Sequence, residues 1–205
     1  QGRTDITYLQ DHKVHYWDAD YKRSGRTDNT LGPVYGKQWR DFGGVDQLKN
    51  LLADIKSNPD SRRLIVSAWN PIEMPDMALP PCHYGFQVYI NDGVIDLMWQ
   101  QRSVDIFLGL PYDIAMYGLL LEFLAKGNGL KAGSLIGQLG DCHLYSNHIK
   151  QASEQLERYM HELPTISVEH GLYLDNDAIF MPVHNSVSLN NYKSHPPILA
   201  PLSVG

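Results

Sequence analysis

The chain has 205 residues, of which 43% are hydrophobic and 20% charged, and it carries a formal net charge of −6. That length suits one domain with a sizeable core, and the net negative charge excludes broad nucleic-acid binding, which needs a basic face. No apolar run approaches the roughly 20 residues of a membrane span and no signal peptide opens the chain, so no membrane partner is expected and the expected compartment is the cytoplasm. There Cys82 and Cys142 are expected as reduced thiols.

The opening Gln1-Gly2-Arg3-Thr4 has neither an initiator Met nor a capping pattern, so the chain reads as a fragment. Lys22 to Thr30 is a surface loop by composition, and the glycines and Pro33 of LGPVYGKQWRDFGG punctuate it too closely for a long helix. Val45, Leu48, Leu51, Leu52 and Ile55 recur at helical spacing until Pro59, which predicts a helix. Leu64 to Trp69 reads as a buried strand. Beyond the Pro-rich loop 71–81, strands Phe86–Ile90 and Val94–Trp99 flank Asn91-Asp92-Gly93, a hairpin turn of residues that tolerate positive φ.

Pro111 suits the first turn of a helix with Ile114, Tyr117, Leu121 and Leu124 on one face, ending by Gly127 or Gly129. A further helix is expected over His148–Met160, strands at Ile166–Glu169 and Ala178–Val183, and a proline-spaced tail, HPPILAPLSV. No repeat or domain boundary interrupts residues 1–205, so the chain is read as one α/β domain.

The chemistry gathers around QQRSVDIFLGLPYD. Gln101, Arg102, Ser103 and Asp105 form a polar row suited to a phosphorylated ligand, and antiparallel pairing brings Arg102 back to Cys82, where a cation favours thiolate. Together they suggest covalent chemistry on a nucleotide. Strand alternation would turn His83 to the face opposite Cys82. Cys142 reads as a structural thiol. Arg62 and Arg63 form either a solvated face or an arm reaching another subunit.

The stretches LGPVYGKQWR, NPDSRRLIVSAWNP, MALPPCH, QRSVDIFLGLP, GDCHLYSNH and HPPILAP closely resemble the thymidylate synthase family, in order and from end to end. The resemblance implies an α/β (α+β) fold with a twisted mixed sheet, flanking helices and a homodimer formed through that sheet. It also implies C5 methylation of a pyrimidine nucleotide with 5,10-methylenetetrahydrofolate as cosubstrate and no metal. By that resemblance Cys82 is the nucleophile that adds to C6, and Tyr35, Arg102 and Asp113 share the catalytic work. Arg102 and Ser103 hold the phosphate, with Arg62 and Arg63 given to the partner site. His83 and Gln101 lie near the base, His143 and Tyr145 at the sugar, and Trp17, Leu79, Asp105 and Gly109 at the folate.

Three departures from the family pattern bear on this reading. Family chains begin several dozen residues earlier, where a further phosphate arginine and a proton-relaying glutamate are expected. Asp20 stands where relatives often carry a second tryptophan, and Asp113 stands where thymidylate synthases carry asparagine. Uracil offers a donor at N3 and an acceptor at O4, which an amide satisfies, whereas cytosine offers the reverse. A carboxyl group meets cytosine either protonated or, when ionised, with N3-protonated cytosine. The sequence therefore favours dCMP over dUMP and 5-methyl-dCMP as product. The alternatives are a 5-hydroxymethylating enzyme, an ordinary dUMP enzyme and a non-catalytic nucleotide-binding protein.

Overall fold

The computed structural model describes residues 2–182 and 184–203. Short helices α1 (Ile6–Asp11), α2 (Asp18–Arg23) and α3 (Tyr35–Arg40) come first, and α4 (Gln47–Ser57) leads into β1 (Ile65–Ser67). The hairpin β2 (His83–Asn91) and β3 (Val94–Asp105) follows, then α5 (Gly109–Gly127), β4 (Lys131–His143) and α6 (Ile149–Leu156). Small strands β5 (Thr165–Val168), β6 (Tyr173–Asp175), β7 (Ala178–Phe180) and β8 (Val187–Asn190) complete the order. No helix among the described residues is long and apolar enough to cross a membrane.

The central sheet runs β1-β2-β3-β4, with β1, β2 and β3 antiparallel and β4 parallel to β3 through the α5 crossover. The expected mixed sheet with flanking helices is therefore present. The hairpin turn has the expected positive backbone angles, φ 49° at Asp92 and 74° at Gly93, which match the twist of the flanking strands. Leu48, Leu51, Leu52 and Ile55 of α4 and Tyr117, Leu121 and Leu124 of α5 close one sheet face over Val66, Phe86, Val88, Ile95, Leu97 and Trp99. Each such side chain contributes about 1.5–3 kcal/mol on full burial.

Several expectations shift. The α4 helix begins two residues late because the Asp46 side chain accepts the Lys49 N–H as N-cap, worth about 1 kcal/mol, and Val45 stays exposed outside it. Ile114 lies on the open side of α5, and the expected helix to Met160 stops at Leu156, itself 87% exposed. In the 64–69 strand only Leu64, Val66 and Ala68 are buried, and Ile65 faces outward. Val183 of the expected strand and Val204 of the tail lie outside the described residues.

The strand missing from the sequence reading is β4, which carries Gly133, Gly137 and Gly140, a residue type that a strand interior disfavours. They are instead required by close approach: a Cβ at Gly137 would sit 2.6 Å from the Trp99 ring, and one at Gly140 would sit 2.8 Å from the Arg102 carbonyl oxygen. Cys142, expected as a structural thiol, is exposed on this strand.

Candidate active site

The Cys82 loop is laced to β3 as antiparallel pairing implies. The Arg102 N–H donates to the Cys82 carbonyl at 2.8 Å, and its guanidinium donates through Nε to Pro81 O at 2.9 Å and through Nη2 to Pro80 O at 3.0 Å. Arginine thus rigidifies the loop carrying the thiol. Cys82 is a half-buried free thiol, and burial pushes its pKa up; Arg102 pulls it down while Asp113 and Asp20 raise it further. The expected stabilisation by Arg102 is present, but burial outweighs it, so at neutral pH the resting group is a thiol.

Tyr35, at the start of α3, accepts the Cys82 N–H at 3.0 Å and packs edge-on to Trp17, centroids 6.1 Å apart. Its helix is anchored by Gln38, which donates to Pro33 O and Glu73 Oε2. Burial drives the Tyr35 phenol far above its ordinary range, so it stays protonated.

His83 departs from the expected alternation because the β2–β3 register is bulged between His83 and Gly85. Its ring stacks on Tyr35 at 4.3 Å, and Nδ1 lies 2.8 Å from the Tyr117 hydroxyl. Burial lowers the His83 pKa to about 4, which makes a stability prediction. Between pH 6.5 and about 4 the unfolded chain binds the proton that the folded chain refuses, so stability falls as pH falls through that window, by up to about 3 kcal/mol. Denaturant titrations at pH 7 and 5 should show this loss, and His83→Gln should shrink it.

Gln101 is 4% exposed and fully engaged. Its Oε1 accepts the Trp99 indole N–H at 3.0 Å, while Nε2 donates to Ser103 O at 3.1 Å and to Asp113 Oδ2 at 2.8 Å. An indole only donates, so the amide cannot flip. Asp113 sits in the second turn of α5, and burial raises its pKa against the lowering by Gln101.

Further along, Asp105 Oδ1 accepts the N–H groups of Phe107 (3.0 Å) and Leu108 (3.3 Å), and a Cβ at Gly109, where α5 begins, would lie 3.4 Å from the Asp105 Cβ. His143 ends β4 opposite Asp105, edge-on to Tyr145 with centroids 5.0 Å apart. Ser103 pairs with Asp141 on β4, and Leu79 is half-buried in the loop before Cys82. Cys82, Tyr35, Trp17, His83, Arg102, Gln101 and Asp113 are thus brought together, with Ser103, Asp105, Gly109, His143 and Tyr145 along the adjoining strand ends. Arg62 and Arg63 are exposed in the turn before β1 and do not join this cluster. Trp99 and Tyr117 were read only as hairpin and core residues. The i, i+2 spacing of Trp99 and Gln101 on one strand, and the i, i+4 spacing of Asp113 and Tyr117 on one helix, were the available signals.

Fold and cluster thus set a half-buried thiol, Cys82, among buried polar side chains, with the Gln101 amide hydrogen-bonded to the Asp113 carboxylate. The sequence profile of the thymidylate synthase family matches residues 1–204, and the chain belongs to that family. The crystal structure of thymidylate synthase from T4 phage is similar at 39% identity with a TM-score of 0.84, over 99% of this chain and 78% of that one. The family carries out folate-dependent C5 methylation of pyrimidine nucleotides, with methylenetetrahydrofolate as cosubstrate.

Proposed function

We propose that this chain methylates C5 of dCMP, giving 5-methyl-dCMP. The observation that carries the reading is the Trp99–Gln101–Asp113 chain. Because the Gln101 NH2 claims one oxygen at position 113 as acceptor, an asparagine there would turn its own NH2 to the ligand and suit O4 of uracil. Aspartate turns a second oxygen to the ligand, which suits the exocyclic amino group of cytosine. With uracil that oxygen would face the O4 lone pairs, an unmatched contact worth roughly 1–3 kcal/mol, about ten- to a hundredfold in discrimination.

In this reading Cys82 adds to C6 of the base, giving up its proton as the thiol attacks, and C5 becomes the nucleophile. Tyr35, neutral and beside Cys82, is placed to hold water for proton removal at C5, while Arg102 and Ser103 hold the phosphate and His143 and Tyr145 the sugar. Methylenetetrahydrofolate supplies the one-carbon unit and the reducing hydride. The residues suit it: Asp105, fixed by two backbone N–H groups, offers a carboxylate to ring donors of the pterin, and by the family resemblance Trp17, Leu79 and Gly109 would complete the folate end.

Trp17 favours methyl transfer, because an indole excludes water from the exocyclic methylene. One observation favours hydroxymethylation as a second reading. The Asp20 carboxylate is only 14% exposed, is paired with Arg23 and acts electrostatically on Cys82, so it can hold water near the site. Dihydrofolate absorbance with product mass separates the two: dihydrofolate formed in step with 5-methyl-dCMP supports methylation, and 5-hydroxymethyl-dCMP without dihydrofolate overturns it.

The working unit is proposed to be a cytoplasmic homodimer, in keeping with two free thiols. The sheet face away from α4 and α5 carries Ile65, Tyr89 and Ile136, the last 46% exposed, a surface suited to isologous pairing. Such pairing would deliver Arg62 and Arg63 to the partner's site. Mixing inactive Cys82→Ser with inactive Arg62→Ala/Arg63→Ala protein should then restore up to about a quarter of wild-type activity through hybrid dimers whose one site is intact. No recovery after subunit exchange would contradict the shared site.

A further inference from the structure

The C-terminal tail runs back along α6, antiparallel to it. At one end Arg158 Nη1 donates to Pro196 O at 2.6 Å and His195 Nε2 donates to Tyr159 O at 2.8 Å. At the other end His148 Nε2 donates to Pro201 O at 2.7 Å and Ser203 Oγ donates to Asn147 Oδ1 at 3.0 Å. Only His148 among these side chains is fully buried, at 0% exposure. Its ring packs against Phe107, centroids 5.5 Å apart, and edge-on to Tyr145 at 5.8 Å.

Those two neighbours belong to the site. Phe107 is the residue whose N–H fixes Asp105, and Tyr145 stands against His143. The donor on Nε2 leaves Nδ1 as an acceptor, and that atom is buried with no partner among the described residues. An unsatisfied buried acceptor costs free energy that an apolar ring of similar shape would avoid. What the imidazole supplies in return is its bond to the tail.

We propose that His148 is a positioning residue that clasps the C-terminal tail onto the Asp105 turn and so shapes the folate end of the site. It acts through Phe107 and Pro201 and touches neither substrate. The inference rests on the reading that Asp105 faces the folate.

The test compares His148→Phe, which keeps a ring and loses the donor, with His148→Gln, which keeps a donor on a flexible stem. For His148→Phe the expected result is a rise of about tenfold in folate KM, as befits loss of one buried hydrogen bond. Nucleotide Kd should stay within about twofold, and backbone amides in 198–203 should exchange hydrogen faster. His148→Gln should recover most of both effects. Unchanged folate KM and tail exchange in His148→Phe, or folate KM and nucleotide Kd rising together, would overturn the proposal. So would a Gln variant as impaired as Phe. Should His148→Phe lose nucleotide binding through misfolding, His148→Asn, whose amide is too short to reach Pro201, replaces it in the same comparison. Tail exchange needs no turnover, so a wild type inactive on dCMP counts against the proposed function and leaves the clasp to be judged separately.

Discussion

Asp113→Asn is expected to raise kcat/KM for dUMP and lower it for dCMP, moving their ratio by about a hundredfold or more. The size follows from changing one matched polar contact into a mismatch for one base and the reverse for the other, at roughly 1–3 kcal/mol each. The direction follows from Gln101, whose NH2 is held towards position 113 by the Trp99 indole. Substitution therefore alters what faces the base without releasing the amide. Steady-state kinetics on both nucleotides at saturating folate measure it. A ratio that does not move would show that position 113 does not read the base.

Cys82→Ser is expected to reduce turnover on either base by about 10⁴-fold or more, in line with removal of the nucleophile in covalent catalysis. Nucleotide binding should persist within a few-fold. The guanidinium of Arg102 is anchored on the carbonyls of Pro80 and Pro81, which the substitution leaves in place. The thiol also starts protonated, because burial outweighs Arg102, so attack on C6 includes a proton transfer that a serine hydroxyl, with its much higher pKa, makes far harder. Rapid-quench turnover alongside calorimetric binding separates the two effects. Residual activity above about 1% of wild type would argue against a covalent route.

The parts of the fold legible in the sequence are those where periodicity and turn chemistry act locally. Leu48, Leu51, Leu52 and Ile55 repeat at helical spacing and pack as that spacing implies, and Asp92-Gly93 adopts the positive φ that the hairpin needs. The β4 strand was illegible because its glycines answer to Trp99 and Arg102 on β3, beyond the α5 crossover, a tertiary constraint without local signature. Helices α1 and α2 are only six residues each, too short for a periodic signal, and α1 is fixed by the Asp5 side chain accepting the Tyr8 N–H and by burial of Ile6 against Leu31, Val34 and Met77.

The same division runs through the site. Cys82 and Arg102 were legible because a hairpin fixes which residues face each other, and resemblance to the family placed Tyr35, Asp105 and Gln101. Trp99 read only as a hairpin residue, Tyr117 as a helix-face residue and His148 as a helix start, and only their hydrogen bonds to Gln101, His83 and the tail reveal what they hold in place. Arg62 and Arg63 stand apart from the cluster within one chain, and their proposed role rests on the homodimer reading.

The most direct test of the central claim is tritium release to water from C5 of labelled dCMP and dUMP, with methylenetetrahydrofolate and the wild-type protein. A kcat/KM for dCMP at least about tenfold above that for dUMP is the predicted result. Equal values, or a preference for dUMP, would contradict the assignment of Asp113 as the residue that selects cytosine.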